Sequence, residues 1–251
     1  MRRNVRAKLL LHLLALASMI YGLLCVTGIV PVEFHNKKLS NMTGGKAQFL
    51  TVQALVGSLS CMLLSLMQDI FPSTERYLHP LKRALLVVFL PTGFTVSSIY
   101  WTLRIFVPSL ILLPKDELTT APDLFASAAG AHVGSFPSQV VTDAAPMAEL
   151  VKLPLSADLS MHAAPFIALL LDFFVFERGF SRRQMRRVAP VVMVVYGMAY
   201  ASFLEYCAKC DGFFIYPFLN VSPFSVRLAI YAGAACGGFV CLRFLNELHS
   251  L

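Results

Sequence analysis

A chain of 251 residues that is 57% apolar and only 14% charged, with 20 Phe, has the composition of a membrane protein rather than a soluble domain. Several of its runs exceed the roughly 18 apolar residues that cross a bilayer as a helix, and they lack the alternation of a membrane strand. The net charge of +7 sits largely beside those runs, so it signals topology and anionic-lipid contact and argues against a nucleic-acid partner.

Six spans are predicted, at 9–30, 49–71, 84–106, 158–176, 188–208 and 226–248, giving an all-α polytopic membrane protein with one six-helix transmembrane domain over 1–251. Arg2, Arg3, Arg6 and Lys8 precede the first run, a pattern shared with secretory signals, and Ala15-Leu16-Ala17 resembles a cleavage site. The run continues well past that point, so an uncleaved first helix is expected. With the N-terminus in the cytosol, Arg76, Lys82, Arg83, Arg178, Arg182, Arg183, Arg186 and Arg187 all fall on the cytosolic side. Both termini are therefore expected in the cytosol.

The connection at 107–157 carries Pro108, Pro114, Pro122, Pro137, Pro146 and Pro154 among many Ala and Ser. A loop this long between spans is either functional or without fixed structure. A re-entrant cover over a site and a floppy non-cytosolic loop both fit it.

His162 lies in the fourth run with Asp158 four residues earlier and Pro165 three residues later. An ionisable group at bilayer depth is costly and marks a functional-site hypothesis. The fourth span enters from the non-cytosolic face, as the second does, so Thr51 and His162 are expected at similar depth. An imidazole can take a hydroxyl proton, and the activated oxygen can attack an ester carbonyl. Asp158, on the same helical face, would orient the ring. Plainer readings stand beside this one: a Thr that bonds a backbone carbonyl, a His paired across the bundle, and an Asp favoured by the helix dipole.

Arg104, Glu205, Tyr216 and Arg227 are expected at the same membrane face, where they would contact a lipid substrate's carboxylate or head group, or simply snorkel at helix ends. His12 is the other histidine within a span, at the opposite face, and Asp172 is the clearest deep charge. An intramembrane metal site would need several ligands at one depth, and His12 alone, at the opposite face from His162, does not supply them. Cys207 and Cys210 form a Cys-x-x-Cys pair for which a disulfide is permitted. Asn41-Met42-Thr43 and Asn220-Val221-Ser222 both fit the glycosylation pattern.

Four segments occur in an informative order: Gly44-Gly45-Lys46-Ala47-Gln48-Phe49-Leu50-Thr51, Leu90-Pro91-Thr92-Gly93, Asp158-Leu159-Ser160-Met161-His162-Ala163-Ala164-Pro165, and Gly212-Phe213-Phe214-Ile215-Tyr216-Pro217-Phe218-Leu219. Their order and spacing resemble the androgen-induced gene family over 9–248, and the Asp-Leu-Ser-Met-His form is more similar to fungal than to animal members. The resemblance implies a cofactor-free intramembrane threonine hydrolase acting on fatty acid esters of hydroxy fatty acids, in the endoplasmic reticulum or another endomembrane. In it Thr51 looks like the nucleophile and His162 like the base. A non-catalytic membrane scaffold or regulator, or a lipid transporter, would share the six-span pattern without needing the Thr51 hydroxyl.

Overall fold

The computed structural model describes residues 2–30, 42–106 and 153–249, and among them the regular structure is entirely helical. The 107–157 connection lies outside the described residues except for its last five, and Asn41 lies outside them as well. Helix α1 (Arg2–Thr27) covers the first predicted span but starts earlier and ends sooner. Its end is set by Gly28, whose φ of 82° admits the left-handed turn that folds the Ile29 and Val30 amides back onto the Leu24 carbonyl.

A short 3-10 turn (Gly45–Gln48) leads into α2 (Leu50–Ile70). Gly44 opens that turn with a φ of 75°, and the Phe203 ring would lie 2.6 Å from any Cβ placed there, so both conformation and space require glycine. Helix α3 (Glu75–Phe106) is longer than the predicted 84–106 span. Its 32 residues extend about 48 Å, against a hydrocarbon core of about 30 Å, so its first turns project beyond the apolar layer.

The fourth predicted span is broken. It forms α4 (Leu155–His162) and α5 (Ala164–Phe176), bent by 46°. Pro165 is the cause: it offers no N–H to the Met161 carbonyl, and its ring crowds that same turn. The break falls immediately after His162, and the Ser97 hydroxyl donates to the His162 carbonyl that the bend frees. Helices α6 (Ala189–Asp211), the short α7 (Pro217–Asn220) and α8 (Phe224–His249) complete the chain. Among the described residues, five helices are long and apolar enough to cross a membrane, and the bent α4–α5 pair makes a sixth. The protein is thus an all-α polytopic membrane protein.

Helices α1, α2, α3 and α5 enclose the core, built from Met19, Leu55, Met62, Leu86, Leu169 and Phe173. Helices α6 and α8 pack on α3 and on each other. Because lipid tails are as apolar as these side chains, close packing rather than water expulsion holds the bundle. Gly57 illustrates it: the Phe89 ring lies so near that a Cβ would fall 2.2 Å from it. All six cysteines are free thiols, Cys207 buried and Cys210 exposed, so the permitted pairing is not made.

Candidate active site

Because α4 ends at His162, the imidazole sits where two short helices meet, with 7% of the residue exposed. Asp158, one turn earlier and wholly buried, directs it: Oδ1 lies 2.9 Å from His162 Nδ1. The Asp158 backbone carbonyl is 3.2 Å from the same nitrogen. A carboxylate and a carbonyl only accept, so Nδ1 carries a proton, and in the neutral ring Nε2 then keeps its lone pair. No described residue hydrogen-bonds Nε2.

Helix α3 supports this pair along one face. Arg104 Nη1 stands 2.9 Å from Asp158 Oδ2, as a charge contact rather than an aligned hydrogen bond, and donates to the Tyr100 hydroxyl at 3.3 Å. The Tyr100 ring lies flat on the imidazole, with centroids 3.4 Å apart. Four groups from two helices therefore fix the histidine's orientation.

Thr51 is the second residue of α2 and is partly buried. Other threonines in the bundle turn their hydroxyls onto the preceding turn, as Thr92 does onto Val88 O at 2.7 Å and Thr95 onto Pro91 O at 3.0 Å. Thr51 does not. The two carbonyls within its reach are already approached by other donors, Gln48 O by the Tyr200 hydroxyl and Ala47 O by Gln53 Nε2, each at 2.9 Å. Its hydroxyl and its backbone N–H make no hydrogen bond to a described residue.

The Thr51 and His162 helices are neighbours, since α2 packs against α4. Both lie by the C-terminal end of α1: Lys46 donates to the Val26 carbonyl at 2.5 Å, and a Cβ on Gly22 would sit 3.1 Å from the Ser160 carbonyl. Thr51 and His162 do not hydrogen-bond directly.

Tyr216 sits under the start of α2, where its hydroxyl accepts the Leu50 N–H at 3.0 Å and lies 3.2 Å from the Tyr200 hydroxyl. Burial pushes the Tyr216 phenol above its ordinary value, so it remains neutral there. It thus serves the backbone that carries Thr51. Glu205 and Arg227 form a separate cluster, joined by two hydrogen bonds of 2.8 and 2.9 Å, with Tyr231 donating to Glu205 at 3.1 Å. The remaining Arg227 nitrogen donates to the Ser222 carbonyl at 2.8 Å, so its fork is already engaged. Both residues line a cavity of about 330 Å³ with Lys209, Phe214 and Asn220. Of the residues singled out from sequence, Arg104, Asp158 and His162 come together, Tyr216 adjoins the Thr51 turn, and Glu205 with Arg227 stand apart.

The family model for FAR-17a/AIG1-like proteins matches residues 7–250, which span every transmembrane helix. The chain belongs to the FAR-17a/AIG1-like family. Within that family it is similar to a UPF0641 membrane protein of the fission yeast Schizosaccharomyces pombe, 26% identical over 244 residues, covering 96% of this chain and 89% of the relative. That likeness agrees with the fungal form of the Asp158–His162 segment. No solved structure matches the chain.

For this FAR-17a/AIG1-like chain, sequence reasoning missed Tyr100, Ser97, Tyr200 and Gln53. Ser97, Tyr100 and Arg104 recur at helical spacing, so one face of α3 carried a signal. The roles of Tyr200 and Gln53 needed tertiary structure. Among the described residues no cluster of His, Cys, Asp and Glu suits a metal ion.

Proposed function

We propose that this protein is an intramembrane lipid ester hydrolase in which Thr51 is the nucleophile and His162 the general base, oriented by Asp158. The observation that carries the reading is the Asp158–His162 pair, 2.9 Å apart, which holds Nδ1 protonated and leaves Nε2 to accept a proton. Thr51, on an adjoining helix, offers a hydroxyl that bonds no described residue. Catalytic hydrogen bonds commonly tighten only when substrate is bound, so the missing direct bond leaves the assignment standing.

In the proposed reaction His162 Nε2 takes the Thr51 hydroxyl proton as the oxygen attacks the ester carbonyl. The imidazolium so formed is balanced by Asp158. The tetrahedral oxyanion faces the Thr51 N–H, an arrangement in which the nucleophile's own amide donates. Collapse breaks the ester bond, and the leaving alkoxide takes the proton from His162, giving an acyl-threonine. Water, deprotonated by the same imidazole, then releases the fatty acid and restores the hydroxyl. Resemblance supports fatty acid esters of hydroxy fatty acids as substrates. Such substrates carry a free carboxylate, and Arg104, tied to Asp158 through one nitrogen, has donors left for it. The proposed setting is an endomembrane with both termini cytosolic.

A second reading, a non-catalytic membrane scaffold or regulator, is favoured by the absence of a Thr51–His162 hydrogen bond. Detergent-purified protein assayed on a fatty acid ester of a hydroxy fatty acid separates the two. Hydrolysis lost in folded Thr51→Val and His162→Ala variants supports the dyad. A wild type inactive across a panel of lipid esters would transfer the weight to the scaffold.

A further inference from the structure

A second group of ionisable side chains is buried far from His162. His12 of α1, 2% exposed, is held between two carboxylates, with Nδ1 2.6 Å from Asp69 Oδ2 and Nε2 3.0 Å from Asp172 Oδ1. Asp172 is fully buried and also meets Lys82 Nζ at 2.7 Å. Lys82 reaches on to Glu177 at 2.7 Å, and Glu177 in turn faces Arg83 and His79, each at 3.2 Å. The chain of contacts ties α1, α2, α3 and the end of α5. Along α5 and the bend, Asp172 lies ten residues, or about 15 Å, from His162.

Donor and acceptor inventories make this group unusual. A neutral imidazole has one N–H and one lone pair, and an ionised carboxylate has only lone pairs. With a carboxylate at each nitrogen, one contact would set lone pair against lone pair at hydrogen-bond distance. The charge count leads to the same place. Asp69, Asp172 and Glu177 supply three negative charges, whereas Lys82 and Arg83 supply two positive ones. His79 faces a single carboxylate and needs only its one neutral N–H. A buried cluster left one charge out of balance in an apolar surround is strongly disfavoured.

We propose that Asp69, His12 and Asp172 form a buried proton-binding site, and that the bound proton locks the first helix to the second and fifth. The proton resides on the imidazole or is shared with Asp69. Either placement gives every facing pair one donor and brings the cluster to neutrality. The groups that face the triad are Lys82, with Glu177 behind it, from α3 and the end of α5, and the Cys61 thiol from α2. Lys8, a turn earlier on α1, lies over the Phe176 ring, 5.5 Å from its centroid.

The lock also bears on the candidate active site. Helix α1 packs along both α4 and α5, and Ser18 donates to Ser160 at 3.3 Å, two residues before His162. Release of α1 from Asp69 and Asp172 would loosen the surface on which α4 rests.

A native state that binds one proton more than the unfolded chain loses stability as pH rises. Full-length protein in detergent micelles should therefore show an unfolding midpoint that falls by about 3–5 °C per pH unit as pH rises above about 6.5, where the histidine of the unfolded chain has lost its proton. Asp69→Asn removes one carboxylate and with it the need for the extra proton, so that slope should flatten. A wild-type midpoint indifferent to pH, or an Asp69→Asn protein that keeps the wild-type slope, would overturn the proposal. If the variant does not fold, the wild type decides the matter spectroscopically at a pH where free histidine is neutral. A solvent-protected imidazole with both nitrogens protonated in ¹⁵N spectra, or a protonated carboxyl band in the infrared, supports the site, and the absence of both overturns it. None of these readings requires hydrolase activity.

Discussion

Tyr100 lies face to face on His162, with the two ring planes within 1° of parallel and their centroids 3.4 Å apart. Tyr100 reaches this position from α3, whereas the Asp158 that directs Nδ1 comes from the histidine's own helix. The ring is therefore fixed in plane by one element and in rotation by the other.

Stacking of this kind contributes about 0.5–1.5 kcal/mol, which corresponds to roughly a 2- to 12-fold change in a rate that depends on ring orientation. Tyr100→Phe keeps the stack and should retain most of the hydrolysis. Tyr100→Ala should lose roughly 3- to 10-fold in kcat with little change in KM, since the proposed base rather than a substrate contact is disturbed. Equal losses in the Phe and Ala proteins would assign the effect to the phenol instead.

Asp158→Asn tests orientation more severely. An amide can present its N–H to Nδ1 and select the wrong tautomer, and an aspartate so replaced in a serine-protease triad costs about 10⁴-fold. A loss of at least about 10²-fold is expected here. The substitution also strands Arg104, whose partner carboxylate it removes, so the thermal midpoint should fall. Asp158→Asn combined with Arg104→Met should recover stability without recovering activity. Recovery of both would mean that Asp158 acts only as a charge partner.

Tyr216→Phe deletes the hydroxyl that accepts the Leu50 N–H and lies against Tyr200. Leaving a partly buried amide unpaired costs about 1–3 kcal/mol. The thermal midpoint should drop accordingly, and hydrolysis should fall because the turn that presents Thr51 loses its support. A folded Tyr216→Phe protein with raised KM and unchanged kcat would instead return Tyr216 to a substrate-contact role.

The spans were legible because apolar runs of bilayer length leave little choice of structure. Legible too was the Asp158–His162 pair, since four residues is one helical turn. Three features were not. The break after His162 depended on whether a neighbour would satisfy the His162 carbonyl that the bend frees, and Ser97 does so from 65 residues away. The role of Tyr216 depended on a loop folding back under α2. Arg227 was expected to meet a lipid carboxylate or head group or to snorkel at a helix end, but Glu205, a residue of the preceding long helix, occupies its fork. Sequence spacing reports contacts within one helix, whereas these three are contacts between elements.

Asn220 combines a sequon with a structural role. Its side-chain carbonyl accepts the Phe214 N–H at 2.7 Å, and its Nδ2 donates to the Phe214 carbonyl at 2.9 Å, which closes the turn that carries Tyr216. Each bond contributes about 0.5–1.5 kcal/mol, so Asn220→Ala should cost about 1–3 kcal/mol and lower the thermal midpoint. Because Tyr216 follows from that closure, hydrolysis should fall with it. Attachment of a glycan to Nδ2 would place bulk where the Phe214 carbonyl now sits, so the folded protein should carry none at this position. Glycosidase treatment of protein from a eukaryotic host should then give the same mobility shift, or lack of one, in the wild type and in Ser222→Ala, which removes the sequon and leaves Asn220 in place. A shift present in the wild type and missing in Ser222→Ala would show that Asn220 is modified and that its hydrogen bonds to Phe214 are dispensable.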